Sequence, residues 1–130
     1  SFLPYFIMKQ VILYTNFILS SVKQKIDFFE EIKFMGIKII IPKQVIDELN
    51  KIINSKKKLQ FRENARIALE LIKNNQSKRI DLKQKYVDKG IIQFAKKNRN
   101  IIIATLDREL KNKIKNSKLV IRRKKKLEII

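Results

Sequence analysis

At 130 residues the chain has the length of one domain and can bury a substantial core. Hydrophobic residues make up 45% and charged residues 33% of it, which is typical of a folded protein rather than a disordered one. Cysteine and histidine are both absent. Their absence excludes disulfides, Cys- or His-ligated zinc and a histidine general base, and it is consistent with a reducing cytoplasm, the location we expect.

The charge balance is strongly positive, with 31 Lys and Arg against 12 Asp and Glu and a formal net charge of +19. Such an excess brings self-repulsion, which is usually tolerated because the partner is a polyanion. A bias of composition toward lysine explains part of the lysine count but not the sign of the net charge. We therefore expect a nucleic-acid partner, ahead of an anionic membrane surface.

Strand and helix patterns alternate along the chain. We interpret residues 8–130 as a single domain, because Met8 leads directly into a first strand, and residues 1–7 as an extension of uncertain role. Apolar runs predict strands at 11–13, 37–41, 79–82, 101–103 and 118–121. Apolar positions at helical spacing predict helices at 17–22, 28–35, 42–53, 61–73, 87–97 and from 107 to 115. This alternation predicts an α/β fold with a parallel sheet covered by helices on both faces.

Three carboxylates share a helical face with apolar residues, namely Glu48, Asp88 and Asp107. A carboxylate in such a place is costly unless it is paired, hydrogen-bonded or bound to a metal. Taken singly, Asp88 and Asp107 are better explained as helix caps, and Glu31 shows that such placement also occurs without evident function. In a parallel sheet, however, helix starts gather at one edge. A cluster of like charges there implies a divalent cation, and oxygen ligands favour Mg²⁺ or Mn²⁺.

Four short motifs resemble, in order, those of the PIN-domain ribonucleases: VILYTNFIL (11–19), PKQVIDEL (42–49), VDKGIIQFA (87–95) and ATLDREL (104–110). The resemblance runs over nearly the whole chain. It is closest to small archaeal PIN proteins related to factors of ribosomal-RNA processing, and less close to toxin-type PIN nucleases. It implies a three-layer α/β/α PIN-like fold with a central parallel sheet.

The resemblance also implies a site and a chemistry. Glu48, Asp88 and Asp107 would be the metal-binding acids, Thr105 the polar residue of the fourth motif and Asn16 the amide of the first. The implied reaction is Mg²⁺- or Mn²⁺-dependent hydrolysis of single-stranded or ribosomal precursor RNA. With no histidine in the chain, a metal would have to supply the activated water.

One position departs from the family pattern. Tyr14 stands where the family has an aspartate at the end of the first strand, and Lys89 where relatives often carry a further acid. A phenol with a pKa of about 10 is a poor Mg²⁺ ligand at neutral pH, so we expect a weakened or absent activity. The alternatives are an inactive PIN scaffold that binds RNA or pre-ribosomal particles, and a toxin held by an antitoxin. A homodimer or a ribosome-assembly partner also remains open.

Two basic segments are the predicted RNA contacts. The alternative for both is solvated charge near loops and termini, and no aromatic residues interleave with them to indicate a base-stacking platform. The predicted RNA-binding residues are Lys56, Lys57, Lys58, Arg122, Arg123, Lys124, Lys125 and Lys126.

Overall fold

A computed structural model describes residues 9–130. The expected extension at 1–7 and Met8 lie outside the described residues, as does the side chain of Lys124. The strands are Gln10–Leu13 (β1), Lys38–Pro42 (β2), Lys78–Ile80 (β3), Ile102–Ala104 (β4), Lys118–Arg122 (β5) and Lys126–Ile129 (β6). The helices are Thr15–Lys23 (α1), Phe28–Phe34 (α2), Lys43–Ile53 (α3), Leu59–Asn74 (α4), Val87–Lys97 (α5) and Arg108–Asn112 (α6), with a 3₁₀ turn at Arg123–Lys125.

One sheet organises the described chain, with strand order β3-β2-β1-β4-β5-β6. Every neighbouring pair is parallel except β5 and β6, which are antiparallel. The predicted α/β fold with a central, mostly parallel sheet is therefore confirmed. Because β1 lies between β2 and β4, chain connections diverge to either side of it. In open α/β sheets, ligands bind outside the carboxyl ends of the strands at such a divergence.

The core is built on the central strands, as their unbroken β-branched runs predict. Val11, Ile12 and Leu13 are completely buried, and Ile103 of the adjacent β4 is too. Helix α3 packs against α4, and α1 packs against α4. Among residues 9–130, no helix is both long and apolar enough to cross a bilayer.

Gly90 allows α5 to approach the segment that follows β3. A Cβ atom added at Gly90 would lie 2.9 Å from the Cβ of Leu82, closer than side-chain carbons come in practice. The glycine therefore lets the first turn of α5 pack closely against this segment, and that turn carries Asp88.

Several predicted elements begin or end one or two residues away from the observed ones, and β3 ends at Ile80 rather than at 82. Three further differences affect the architecture. β6 was not predicted, and the basic residues 122–126 form the turn of a β5–β6 hairpin. Helix α6 ends at Asn112 rather than at 115; beyond it, the buried Asn116 side chain donates hydrogen bonds to the carbonyls of Asn98 and Ile101, at 2.9 Å each. Pro42 closes β2 and precedes α3 instead of lying in the first turn of that helix.

Candidate active site

A cavity of about 620 Å³ lies beyond the carboxyl ends of β1 and β2. It is bounded by the residue after β1, by one side of α3 and by the start of α5. Two of the three predicted metal-binding acids, Glu48 and Asp88, line it together. The lining residues are Tyr14, Gln44, Asp47, Glu48, Lys51, Lys85, Tyr86, Val87, Asp88 and Lys89.

Each of these two acids accepts a hydrogen bond from a hydroxyl group at the β1–α1 junction. The Tyr14 hydroxyl donates to Oδ1 of Asp88, and the Thr15 hydroxyl donates to Oε1 of Glu48. Tyr14 lies immediately before α1 with an extended backbone (φ −93°, ψ 157°), and Thr15 is the first residue of the helix. Two adjacent residues of β1–α1 thus join carboxylates from α3 and α5.

The surroundings of Asp88 disfavour its negative charge. Partial burial raises the pKa of the Asp88 carboxyl, and the nearby negative charge of Asp107 raises it further, whereas Lys113 opposes the shift. The hydrogen bond from Tyr14 offsets part of this cost, because a hydroxyl donor stabilises the carboxylate. A cation in the cavity would stabilise the negative charge of Asp88 more than this hydrogen bond does.

Asp107 is engaged in a different way. Its Oδ1 accepts two backbone N–H groups in the first turn of α6, at 2.9 and 3.3 Å, so it is the N-cap of that helix. The backbone N–H of Asp107 donates to the buried Thr105 hydroxyl oxygen at 3.1 Å. Asn16 accepts at its Oδ1 from the Leu106 N–H at 3.1 Å and from the Thr105 hydroxyl at 3.4 Å. Thr105 and Asn16 therefore fix the loop after β4 against α1.

The expected convergence of three carboxylates on one ion is not formed in this arrangement. Among residues 9–130, no group of three or more acidic side chains is placed to hold a metal ion. Instead, Asp107 caps α6, while Asp88 and Glu48 are each joined to a hydroxyl group. The roles of Glu48, Asp88 and Asp107 as metal ligands stay a prediction.

The predicted RNA-binding lysines and arginines fall into two places. Lys57 lines a second cavity beside the first, and Lys56 and Lys58 are exposed in the same loop before α4. Residues 122–126 lie at the turn of the β5–β6 hairpin. Because β5 is parallel to β4 and β1, this turn lies at the same edge of the sheet as the cavity. The Arg122 guanidinium there pairs with Glu128 at 2.8 Å, which neutralises part of its charge.

Sequence reasoning missed two of the lysines that surround the acidic cavity. Lys51 and Lys85 line it alongside the carboxylates, as does Lys89, which the motifs had placed where relatives often carry an acid. Lys51 follows Glu48 by three residues, so it shares the same face of α3, and this spacing could have identified it. Lys85 carries no such signal, since lysines are frequent throughout the chain and its place depends on the loop before α5.

Residues 11–126 match the family described as PIN like domain. The chain is 34% identical over 128 residues to "Ribonuclease VapC4" of Methanocaldococcus jannaschii, with 94% of this chain and 97% of that protein covered. This chain belongs to the PIN-like domain family. The resemblance found from the four motifs is thereby confirmed.

Solved structures agree with this assignment. The PIN domain endonuclease Utp24 superposes with a TM-score of 0.73 at 25% identity, covering 95% of this chain and 97% of that one. A domain of a functionally unknown M. jannaschii protein gives 0.55 at 22% identity, covering 80% and 82%. VapBC2 from Rickettsia felis, solved bound to a promoter DNA fragment, gives 0.51 at 13% identity, covering 84% and 98%. These last two support the fold alone.

Proposed function

We propose that this chain is an endoribonuclease of the PIN type acting on single-stranded RNA, such as ribosomal precursor RNA, with a divalent-metal site weakened by Tyr14. The observation that carries the proposal is the pairing of Glu48 and Asp88 on one cavity beyond the carboxyl end of β1. The names of two relatives support it, since VapC4 is called a ribonuclease and Utp24 an endonuclease, and both cover nearly all of this chain.

The donor atoms at the cavity fit a hard divalent cation. They are the carboxylate oxygens of Glu48 and Asp88 and the hydroxyl oxygen of Thr15. An all-oxygen set suits Mg²⁺ or Mn²⁺ and not zinc. Glu48 and Asp88 would hold the ion from this cavity. The site lacks the negative charge that the family pattern has at position 14. When bound, the ion would activate a water molecule and stabilise charge on the phosphate.

The remaining residues of the cavity act on the substrate and on the acids. Lys51, Lys85 and Lys89 give it a cationic rim that attracts and places phosphate groups. The hydroxyl groups of Tyr14 and Thr15 fix the orientation of the carboxylates.

A second candidate function is an RNA-binding PIN scaffold without catalysis, including one that binds pre-ribosomal particles. The hydrogen bond between Tyr14 and Asp88 favours it, because it satisfies the carboxylate without a metal. Both candidates share the cationic rim, so RNA binding alone does not separate them. Cleavage does.

The test is the cleavage of an end-labelled single-stranded RNA with Mn²⁺ by the wild type, Glu48→Gln and Glu70→Gln. Glu70 is an exposed glutamate on α4, away from the cavity, and serves as the matched control. Loss of groups that only support metal ligands typically reduces affinity or activity about 10- to 100-fold. Glu48→Gln should therefore reduce cleavage by about 100-fold or more, while Glu70→Gln should not.

Two results would contradict the proposed enzyme. Equal cleavage by the wild type and Glu48→Gln would show that the cavity is not the active site. RNA binding without cleavage at any Mn²⁺ concentration would establish the scaffold instead.

A further inference from the structure

A second cavity, of about 400 Å³, adjoins the candidate active site and shares Tyr14, Glu48 and Lys51 with it. We propose that this groove binds one nucleotide of single-stranded RNA next to the cleavage position, with its base on the ring of Phe61 and its phosphate on Lys51 and Lys57. The proposal rests on the proposed function, since it assigns a substrate contact to the same site.

The floor of the groove is apolar and fixed in place. Phe61, Leu19 and Ile52 line it, and Leu19 is only 8% exposed. Phe61 is half-buried and packed against the core, so one part of its ring is held while another borders the groove. A held aromatic ring binds a base at a small cost in conformational entropy, and stacking accepts every base because each has a π-face.

The rim of the groove carries the charge that a nucleotide requires. Nζ of Lys57 lies 5.5 Å from the centre of the Phe61 ring, and Lys51 lies on the side shared with the acidic cavity. A cation–π contact at an exposed site is weak, so a base can replace the ammonium on the ring. The displaced Lys57 then remains beside the phosphate of the same nucleotide.

The inner end of the groove adds a specific donor. Asn16 lines the groove, and its Oδ1 already accepts the N–H of Leu106 at 3.1 Å. Its amide NH₂ is thus the group with which Asn16 can donate to a phosphate or to a base edge. Because the two cavities share Glu48, a single strand of RNA can extend from this nucleotide into the candidate active site. A base paired in a duplex has no free face for the ring, so the groove selects unpaired RNA.

The test uses a 2′-O-methyl octaribonucleotide with 2-aminopurine at successive positions, in EDTA, so that neither cleavage nor metal affects the result. With the wild type, one position should show quenched emission from stacking on Phe61. Phe61→Leu should abolish the quenching and weaken binding about five-fold or more. The matched control Phe94→Leu, at a half-buried ring on α5 outside the groove, should leave both unchanged.

A surface variant provides a readout that does not depend on core packing. Lys57 is exposed, so Lys57→Gln should leave the circular dichroism spectrum unchanged and reduce the slope of log affinity against log salt by about 0.7. Lys73→Gln, an exposed lysine in the last turn of α4, should leave the slope as it is.

The outcomes separate the two proposals. If RNA binds but Phe61→Leu and Phe94→Leu behave alike, the nucleotide groove is wrong while the proposed function stands. If the quenching depends on Phe61 but Glu48→Gln does not change cleavage, the groove stands and the active site is wrong. Absence of any RNA binding overturns both.

Discussion

Replacing Tyr14 with aspartate restores the negative charge that the family pattern has at this position. Without a metal ion this charge should destabilise the folded protein, and the size of the effect can be worked out from the structure. The Tyr14 hydroxyl contacts Asp88, so an aspartate here would lie about 5 Å from that carboxylate. Two like charges at about 5 Å repel by about 3 kcal/mol at an effective dielectric constant near 20, and by about 1 kcal/mol in water. Because the Asp88 residue is exposed overall and its carboxyl is only partly buried, we expect about 1 to 3 kcal/mol of destabilisation from charge alone.

Tyr14→Asn is the matched control. Both variants lose the same half-buried ring, and the asparagine side chain has nearly the same shape as the aspartate side chain. The difference in stability between the two variants therefore isolates the effect of the charge. In EDTA the aspartate variant should melt lower than the asparagine variant by about 3 to 15 °C, since about 1 kcal/mol shifts Tm by roughly 3 to 5 °C at this chain length.

Mn²⁺ should reverse the order of the two variants. An ion present at about 100 times its Kd for the aspartate variant stabilises the folded state of that variant by about 2.7 kcal/mol, which is close to the upper end of the repulsion and well above its lower end. The aspartate variant should therefore melt above the asparagine variant in Mn²⁺, and it should cleave RNA faster than the wild type. Thermal melts followed by circular dichroism, with and without Mn²⁺, measure the effect. Two variants with equal Tm in both conditions would refute the placement of Tyr14 beside a metal site.

Two further predictions concern charge. Replacing residues 122–126 with neutral residues should flatten the salt dependence of RNA affinity between roughly 50 and 200 mM salt, by about 0.7 in slope for each phosphate that the protein no longer neutralises; an unchanged slope would show that the hairpin turn is only solvated. Asp88→Asn should raise Tm in EDTA at neutral pH, because the pKa of the Asp88 carboxyl is raised by partial burial and by Asp107. Protonation of the wild type should close this gap as pH falls through the raised pKa, and a gap that persists in acid would contradict that assignment.

The sequence predicts the central fold because the strands that build it are apolar on both faces. Residues 11–13 and 101–103 could hardly be anything but buried strands in a domain of this size. Strand β6 is different: only Leu127 in it is buried, and it follows a run of basic residues. This strand forms because it pairs with β5, and the local pattern of apolar and polar residues does not reveal such a pairing.

The candidate site, too, could be predicted only in part. Helical periodicity, together with the expectation that helix starts gather at one edge of a parallel sheet, predicted that Glu48 and Asp88 lie in one region. In the structure both line one cavity. Periodicity could not distinguish a ligand from a cap at Asp107, because both require an aspartate before a helix. The contact between Tyr14 and Asp88 joins residues 74 positions apart, and nothing local in the sequence encodes it.

The place of β1 at the centre of the sheet has a consequence for biosynthesis. Val11 is among the first described residues to leave the ribosome, yet it pairs with Ile102, near the other end of the chain. The edge of β1 that pairs with β4 therefore stays unpaired while most of the protein is synthesised. Long-range strand pairing of this kind is slow, and an unpaired strand edge is prone to aggregation. The junction after β1 is completed only when the Asn16 side chain meets the Leu106 N–H. A nascent or truncated chain that lacks the last third would thus lack the β4 side of the candidate site.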